Sequence, residues 1–504
     1  MNRRRSVLPV PLAVSGAAGF VGSVCVLLGV LQAGSPFAAG NAGAWFFGTV
    51  AAPPASGVSA NDRLFGIVLV YAGVVVMLAS WFELVRALRR APGTGLGPPV
   101  AIAAAWAAPV LFMPPLFSRD VYSYAAQGDM VSRGINPYVH APSALGGGPF
   151  LSLVDPLWRH APAPYGPAWE RLSGWIVGLS GHDVLAAVVG FRLAALVGVV
   201  LIAWGVPVLA RSVGRSGSVA FTLAVLNPLV LLVLLGGAHN DALMLGLLVA
   251  GCALARRNHV LAGLVLCALA AEVKVPALLG AACIGWWWGA AVPDLRRRVT
   301  RVAAAVLAAA GLMVVIGAVS GLGWRWLNGL SNPGVVVSWL DPATAVGLLL
   351  GHAAAAAGYS GHAAGFVQGS RAVFLGAATV ASVGLIVRSH RVGELEALGW
   401  SLLLFVVLGP VVWPWYETWG FVFLAVVAEG WTLRLLLALS AVACFADVPG
   451  ARALGGASPV FAAFCWACVL GGVGAYTVAR LLPSLAPRPV RPPEPRSASA
   501  GIRT

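Results

Sequence analysis

The stretch from Ser118 to Tyr138 concentrates the residue types that could do chemistry. It contains two acids, two arginines and three tyrosines, namely Asp120, Asp129, Arg119, Arg133, Tyr122, Tyr124 and Tyr138. Only 10% of the whole chain is charged, so this density requires an explanation. The stretch directly follows a long apolar run, and a polar cluster at the end of a membrane helix lies either at the water interface or along a cavity. We predict that it lines a catalytic cavity.

Asp120 is the acid closest to the preceding apolar run, which ends at Pro114-Pro115. It is therefore expected near the membrane surface, where a lipid-borne substrate would present its head group. An acid at this place can act as a general base that removes a proton from an attacking hydroxyl. It can equally be the N-cap of the helix that follows. The residues themselves leave both roles open.

A short helix is predicted from Val121 to Val131, and Gly134 ends it. We expect this helix to lie at the membrane interface with Tyr122 and Tyr124 as anchors, because tyrosine is enriched there. Asp129 is expected to be a solvated residue of the same helix.

Three adjacent polar residues, His239-Asn240-Asp241, follow another apolar run. Asn240 or Asp241 could be the N-cap of the next helix. Three polar side chains exceed what a cap needs, so the pattern favours the wall of a polar pocket.

Three further ionisable residues interrupt apolar runs. Glu272 and Lys274 could pair with neighbouring groups, or Lys274 could place a point charge on a phosphate. Arg192 lies inside a predicted span and is costly to bury. It is therefore either functional or paired with an acid such as Asp241.

Two aromatic, proline-rich segments are expected to face the same side of the membrane. One contains Tyr165 and the other contains Trp415 and Tyr416. Aromatic rings stack on the apolar faces of pyranoses, so these segments suit a sugar-binding surface. A belt of tyrosine and tryptophan at the membrane interface is the alternative.

Composition indicates an all-α, polytopic membrane protein. Apolar residues make up 59% of the 504 residues, and runs long enough to cross a bilayer recur along the chain. The net charge of +15 comes from arginines in short loops and at the chain ends. This placement is the positive-inside signal and does not indicate a nucleic-acid partner.

Placing the arginine clusters in the cytoplasm requires about fourteen spans with both termini inside. Two short apolar pieces, residues 167–181 and 342–357, are then expected to form re-entrant or interfacial helices on the outer side. The large outer loops are residues 118–183 and 321–370, and they hold many of the acids. Chemistry is therefore expected on the outer, periplasmic side of the plasma membrane.

No motif for a cofactor is present. The chain has no Walker or Rossmann glycine pattern, no HExxH and no DxD in a suitable context. Cys465 and Cys468 form a CxxC inside an apolar run, where small buried side chains are favoured over a metal or redox site. We predict no cofactor, leaving a requirement for a divalent cation open. A sugar donor on the outer side without a nucleotide is a polyprenyl-phosphate sugar.

Several segments together carry a family resemblance: SRDVYSYAAQGDMVSRGINPY, GGGPFLSLVDPLW, PAPYGP, GGAHNDALMLG, EVKVPALLG and PVVWPWYETW. Over residues of about 98 to 430 the chain resembles the actinobacterial polyprenol-phosphomannose-dependent α-(1→6)-mannopyranosyltransferases of the GT-C class. It is more similar to mannopyranosyltransferase B than to A. The sequence departs from the family at Trp413, where a polar residue is usual.

The resemblance implies an inverting transfer of mannose from polyprenyl-phosphate-β-mannose to the 6-hydroxyl of a mannosylated glycolipid in lipomannan and lipoarabinomannan synthesis. It implies that Asp120 is the general base. Arg192, Lys274 and Arg119 are expected to stabilise the charge on the donor phosphate. The expected substrate pocket comprises Tyr122, Tyr124, Asp129, Asn136, Tyr138, Tyr165, His239, Asn240, Asp241, Glu272, Trp415 and Tyr416.

This interpretation divides the chain into three parts. Residues 1–97 form a two-span N-terminal segment whose first helix is expected to be uncleaved, rather than a signal peptide. Residues 98–482 form the GT-C-like catalytic membrane domain. Residues 483–504 form a disordered cytoplasmic tail.

Two other hypotheses remain open from the sequence. The same architecture could transfer another lipid-linked sugar, as in arabinosyl transfer or protein O-mannosylation. A flippase for lipid-linked sugars would need charges deep in helices of both halves, and the deep interior is apolar apart from Arg192.

Overall fold

The computed structural model describes residues 10–33, 58–289, 294–359 and 363–446, and all regular structure in these ranges is helical. The first nine helices are α1 (Val10–Ala33), α2 (Ala60–Arg90), α3 (Gly97–Phe112), α4 (Asp120–Ser132), α5 (Pro149–Leu153), α6 (Pro167–Leu179), α7 (Val184–Ser212), α8 (Gly217–Ala224) and α9 (Asp241–Arg256). The next ten are α10 (Val260–Val273), α11 (Leu278–Gly289), α12 (Leu295–Ser320), α13 (Trp326–Gly329), α14 (Pro342–Ala356), α15 (Ala363–Val387), α16 (Ser389–Val392), α17 (Glu394–Val407), α18 (Pro414–Val427) and α19 (Gly430–Ala446). Short 3₁₀ turns cover Pro142–Leu145, Val275–Ala277 and Asn332–Val335, and a π-helical segment covers Val230–Gly236.

Local sequence signals set where the helices near the site begin. Pro167, Pro342 and Pro414 open α6, α14 and α18, where a missing backbone N–H costs nothing. Asp183 caps α7, because its side chain accepts a hydrogen bond from the amide of Ala186.

Among the described residues, five helices are long and apolar enough to cross a membrane: α1, α2, α7, α12 and α15. The π-helical segment and α9 form a sixth candidate, bent by 113° where they meet. These helices identify a membrane protein, since a span needs about 20 apolar residues. The predicted all-α membrane fold is therefore confirmed, and the number of about fourteen spans stays a prediction.

The two pieces predicted not to cross are short helices. They correspond to α6, with 13 residues, and α14, with 15 residues. At 1.5 Å per residue they measure roughly 20 and 22 Å, against a hydrocarbon core of about 30 Å. Other apolar helices such as α10, with 14 residues, are equally short, so the re-entrant or interfacial placement of these two pieces stays a prediction.

The helix α4 begins at Asp120, as predicted within one residue, but it does not lie exposed at an interface. Tyr122 and Tyr124 are buried, and Asp129 is 1% exposed. The helix α6 covers α4 so closely that a Cβ atom on Gly128 would lie 2.5 Å from the carbonyl oxygen of Ser173. The predictions of interfacial tyrosine anchors and of a solvated Asp129 are therefore wrong.

The crossing of α7 and α9 fixes the position of the bend. A Cβ atom on Gly198 would lie 2.1 Å from the carbonyl oxygen of Ala242, and one on Gly246 would lie 2.3 Å from that of Gly198. The backbones therefore touch, as small residues allow in membrane helices. Just before α9, Ala238 has a φ of 52°, which is costly without glycine. This tight crossing holds Asp241 at the start of α9.

Replacing Gly198 should therefore separate α7 from α9. We expect Gly198→Val to destabilise the protein by roughly 1–3 kcal/mol or more, because the added methyls overlap the α9 backbone. Thermal unfolding of the detergent-purified protein measures the effect. The control is Gly311→Ala on α12, where an added Cβ has no neighbour within 4 Å. Equal melting temperatures for Gly198→Val and the wild type would contradict the close packing.

Candidate active site

A cavity of about 600 Å³ lies between α4, the loop before α6, the start of α11, and α17 to α18. Four of the predicted site residues line it: Asp120, Tyr165, Lys274 and Tyr416. Its other lining residues include Ser123, Gln127, Trp158, Leu278, Leu279, Val306, Asn332, Pro410, Val411, Trp413 and Trp419. The cavity thus joins polar groups, aromatic rings and an apolar wall.

Asp120 is the first residue of α4, and Arg119 occupies the N-cap position without a side-chain capping bond. The amide of Asp120 donates to Ser118 Oγ at 3.1 Å. Its carboxylate is 21% exposed and faces the cavity. The geometry therefore places Asp120 inside the helix rather than at its cap.

His239 lies behind Asp120, with its Nε2 atom 3.8 Å from Asp120 Oδ2. Its Nδ1 atom is 2.5 Å from the carbonyl oxygen of Val233, which can only accept a hydrogen bond. Nδ1 therefore carries a proton, and Nε2 has no hydrogen-bond partner among the described residues. The ring also stacks on Trp415, with centroids 4.2 Å apart. These contacts fix the imidazole next to Asp120.

Lys274 and Asp241 form a buried ion pair beside the cavity. The ammonium donates to both carboxylate oxygens of Asp241, at 2.9 and 2.7 Å. Trp419 Nε1 donates to the same carboxylate at 2.7 Å. The Lys274 ammonium also lies 4.3 Å from the ring centroid of Tyr416. A buried charge requires such partners, because leaving it unpaired costs several kcal/mol.

Arg192 was expected either to bind the donor phosphate or to pair with an acid such as Asp241, and its position fits neither expectation. Its guanidinium donates to the carbonyl oxygens of Leu111, Met113 and Gly236, at 3.1, 2.5 and 2.9 Å. It is 3% exposed and lies outside the cavity lining. Three backbone acceptors offset the cost of burying it. Arg192 therefore ties the end of α3 to the bend that precedes α9.

Asn240 and Tyr124 are bonded to each other outside the cavity lining. Tyr124 donates from its hydroxyl to Asn240 Oδ1 at 3.2 Å. The Asn240 side chain makes no capping bond to α9, although the residue occupies the N-cap position. The Tyr124 ring packs edge-on against Tyr165 at 5.5 Å and Trp169 at 5.3 Å. The contacts contradict a capping role for the Asn240 side chain, and the pocket-wall hypothesis for His239-Asn240-Asp241 stays a prediction, because none of the three lines the cavity.

All the other predicted site residues lie outside the cavity lining within the described ranges, including Tyr124, His239, Asn240, Asp241 and Trp415. Asp129 binds Arg133 and His182, at 2.9 and 2.7 Å. Tyr122 is buried, and Arg119 is half-buried beside Asp120. These contacts show that Asp129 secures the far end of α4.

The predicted outer loops are connected by hydrogen bonds of Asn136, Tyr138 and Glu272. Asn136 donates to the carbonyl oxygen of Leu322 at 3.0 Å, which joins the two predicted outer loops. Tyr138 donates to the carbonyl oxygen of Tyr165 at 2.8 Å. Glu272 accepts from the amide of Ala168 at 2.9 Å. They therefore support the cavity wall rather than form its surface.

Asp341 was not singled out by the sequence, yet it holds the turn that forms one cavity wall. Its Oδ1 accepts from the amide of Val412 at 2.7 Å. Thr344 donates to the carbonyl oxygen of Pro410 at 3.2 Å, and Arg371 donates to Thr344. An aspartate before a proline at a helix start is a common local signal, so nothing in the sequence revealed a contact 71 residues away.

Metal-binding clusters are not formed in the described ranges: no three residues of the His, Cys, Asp and Glu types come together there. Cys465 and Cys468 lie outside the described residues.

Asp341 should make the protein's stability depend on pH. Burial raises the pKa of Asp341 from 3.8 to about 7. The folded state therefore binds the proton more tightly than the unfolded state. This contribution is fully present below about pH 4 and is lost as the pH rises through 7.

Asp341→Asn, which stays neutral and keeps the acceptor for Val412, should remove that dependence. We expect its melting temperature to exceed the wild type by more at pH 8 than at pH 5. The control is Asp183→Asn, an exposed cap that asparagine replaces equally well. If the difference in melting temperature between Asp341→Asn and the wild type is the same at pH 5 and pH 8, the raised pKa of Asp341 is contradicted.

The Lys274–Asp241 pair gives a second prediction. Lys274→Met should destabilise the protein by about 3–5 kcal/mol, because it leaves a buried carboxylate unpaired. The double variant Lys274→Met/Asp241→Asn should regain part of that loss. Thermal unfolding of the single and double variants measures the coupling. Strictly additive losses would show that the two side chains do not interact.

Comparison with known proteins gives consistent matches along the chain. Residues 16–292 match the family model described as α-(1→6)-mannopyranosyltransferase, N-terminal domain, and residues 343–476 match the MptB C-terminal domain. The chain is 32% identical to α-(1→6)-mannopyranosyltransferase A of Mycobacterium tuberculosis, over 82% of this chain and 80% of that protein. It is 31% identical to α-(1→6)-mannopyranosyltransferase Rv1459c of the same organism, over 85% and 81%.

A third relative is α-(1→6)-mannopyranosyltransferase B of Corynebacterium glutamicum, which is 30% identical over 67% of this chain and 60% of that protein. No solved structure matches the chain. The resemblance predicted from the Ser118 stretch is confirmed, and the C-terminal match is to a B-type domain, as predicted.

Proposed function

Because the chain belongs to the α-(1→6)-mannopyranosyltransferase family, we propose that it transfers mannose from polyprenyl-phosphate-β-mannose to the 6-hydroxyl of an α-mannan acceptor. The acceptor is a mannosylated glycolipid of the lipomannan and lipoarabinomannan core. The reaction takes place at the outer side of the plasma membrane, within a GT-C-type fold of about fourteen spans.

One observation carries this proposal. Asp120 and Lys274 line the same cavity, together with the aromatic rings of Tyr165 and Tyr416. A carboxylate, a cation and sugar-stacking rings are the groups that glycosyl transfer from a lipid phosphate needs. Leu278, Leu279 and Val306 add an apolar wall that suits a polyprenyl chain.

Asp120 acts as the general base. The acceptor 6-hydroxyl has a pKa far above 7, so it must lose its proton as it attacks. Its oxygen forms a bond to the anomeric carbon of the donor, the bond from that carbon to the phosphate oxygen breaks, and the proton passes to Asp120. A single displacement converts the β-linked donor into an α-linked product.

Cations stabilise the departing phosphate, which gains one negative charge as the glycosidic bond breaks. Lys274 is a cation in the cavity lining. Its ammonium donates to the Asp241 carboxylate, which also accepts a hydrogen bond from Trp419. Arg119, which directly precedes the base in the sequence, is the second cation of this proposal. Arg192 supports the site indirectly, since its guanidinium is bound to three carbonyl oxygens.

Asp120→Asn tests the proposed base. Membranes that contain the protein are given polyprenyl-phosphomannose and a short α-1,6-mannoside, and mannose transfer is measured. We expect the variant to lose roughly 10²- to 10⁴-fold in rate, because asparagine cannot accept the proton. Asp155→Asn is the matched control, since it changes an acid in the same segment whose carboxylate accepts from the amide of Leu157.

The outcomes separate the alternatives. Full transfer by Asp120→Asn would remove Asp120 from the mechanism. Wild-type membranes that move the donor across vesicles without transferring mannose would indicate a flippase instead. If the protein transfers sugar only from a pentosyl donor, the proposed donor sugar is wrong and the proposed fold is unaffected.

A further inference from the structure

One face of α4 presents three polar side chains to the cavity. Asp120, Ser123 and Gln127 all line it. They stand at positions i, i+3 and i+7, which lie on the same side of an α-helix. Ser123 and Gln127 are uncharged, so the sequence predicted a role for Asp120 alone among these three residues.

Ser123 and Gln127 are buried and yet lack protein partners. Their exposed fractions are 5% and 4%. Neither Ser123 Oγ nor Gln127 Oε1 has a hydrogen-bond partner among the described residues. Buried polar atoms are almost always paired, so each unpaired one needs an explanation. Tyr124, on the same helix, shows the usual pattern through its bond to Asn240.

Folding alone does not account for these two side chains. An unpaired buried hydroxyl or amide destabilises the folded state, and an apolar side chain of similar size would avoid that cost. A ligand that brings hydroxyl groups into the cavity would satisfy both atoms. The rings of Trp158 and Tyr165 line the same cavity and can stack on the apolar face of a sugar.

The spacing along α4 fits consecutive sugar units. At 1.5 Å per residue, Ser123 lies about 4.5 Å and Gln127 about 10.5 Å along the axis from Asp120. A sugar whose hydroxyl reached Asp120 would have its own ring beside Ser123. The next unit of the same oligosaccharide would reach Gln127.

We propose that Ser123 and Gln127 form a hydroxyl-binding subsite for the acceptor oligosaccharide, a chain of linked hexopyranoses. The proposal rests on the proposed function, because it takes Asp120 as the group that meets the acceptor hydroxyl. Gln127 Oε1 accepts from a sugar hydroxyl, and Ser123 Oγ exchanges a hydrogen bond with another. The donor phosphate and its lipid occupy the opposite side, at Lys274 and the apolar wall.

Two variants test this subsite: Ser123→Ala and Gln127→Leu. We expect each to raise the KM for a short α-1,6-mannoside by roughly three- to tenfold, the effect of one lost neutral hydrogen bond. The KM for the donor should stay unchanged. Ser132→Ala is the matched control on the same helix, because the Ser132 hydroxyl is already bonded to the carbonyl oxygen of Asp129.

The melting temperature distinguishes a binding role from a purely structural one. A purely structural role would make it fall when the side chain is replaced. We expect the melting temperatures of Ser123→Ala and Gln127→Leu to equal or exceed the wild type, because each removes an unpaired buried group. A clear fall in melting temperature would mean that these side chains stabilise the fold, and would overturn the subsite.

Kinetics and direct binding then separate a failure of the subsite from a failure of the proposed function. Wild-type transfer with an unchanged acceptor KM in both variants, or a rise in donor KM instead, would overturn the subsite and leave the proposed function intact. If the wild type transfers no mannose, the proposed function fails. In that case tryptophan fluorescence titration with the α-1,6-mannoside tests the subsite by itself, with weaker binding expected in both variants and equal binding contradicting it.

Discussion

The buried ion pair between Lys274 and Asp241 is the interaction on which the cavity depends. A lone ammonium inside an apolar membrane protein would be strongly destabilising. The Asp241 carboxylate binds the ammonium, and Trp419 donates a hydrogen bond to that carboxylate. The pair joins the start of α9 to the segment between α10 and α11. It therefore sets the distance between the bend that carries His239 and the wall that faces Asp120.

Close backbone packing around this pair fixes the bend between the π-helical segment and α9. Gly198 and Gly246 let α7 and α9 touch, and Arg192 clamps the end of α3 to Gly236 on the other side of the bend. His239 then stands beside Asp120, fixed by the carbonyl oxygen of Val233. Preorganised groups of this kind make charge stabilisation effective, because nothing has to move during the reaction. The rigid bend and the proposed chemistry are thus parts of one arrangement.

The sequence revealed the parts of the site that depend on local signals. Apolar runs predicted the membrane fold, and Pro114-Pro115 followed by Asp120 placed the acid at the start of α4. Pairings between distant segments could not be predicted, because they depend on how helices pack. Lys274 meets Asp241 across 33 residues, and Asp341 meets Val412 across 71. The sequence also did not reveal that α6 packs over α4. The predictions of Tyr122 as an interfacial anchor and of Asp129 as a solvated residue are wrong for that reason.

A structure of the Asp120→Asn protein with donor and a short α-1,6-mannoside bound tests the central claim most directly. The account predicts that the acceptor 6-hydroxyl lies within about 2.6–3.2 Å of the side chain at position 120. The account also predicts that the donor phosphate lies on the side of Lys274. An acceptor hydroxyl beyond that reach and hydrogen-bonded to a different carboxylate would contradict the role of Asp120 as the base.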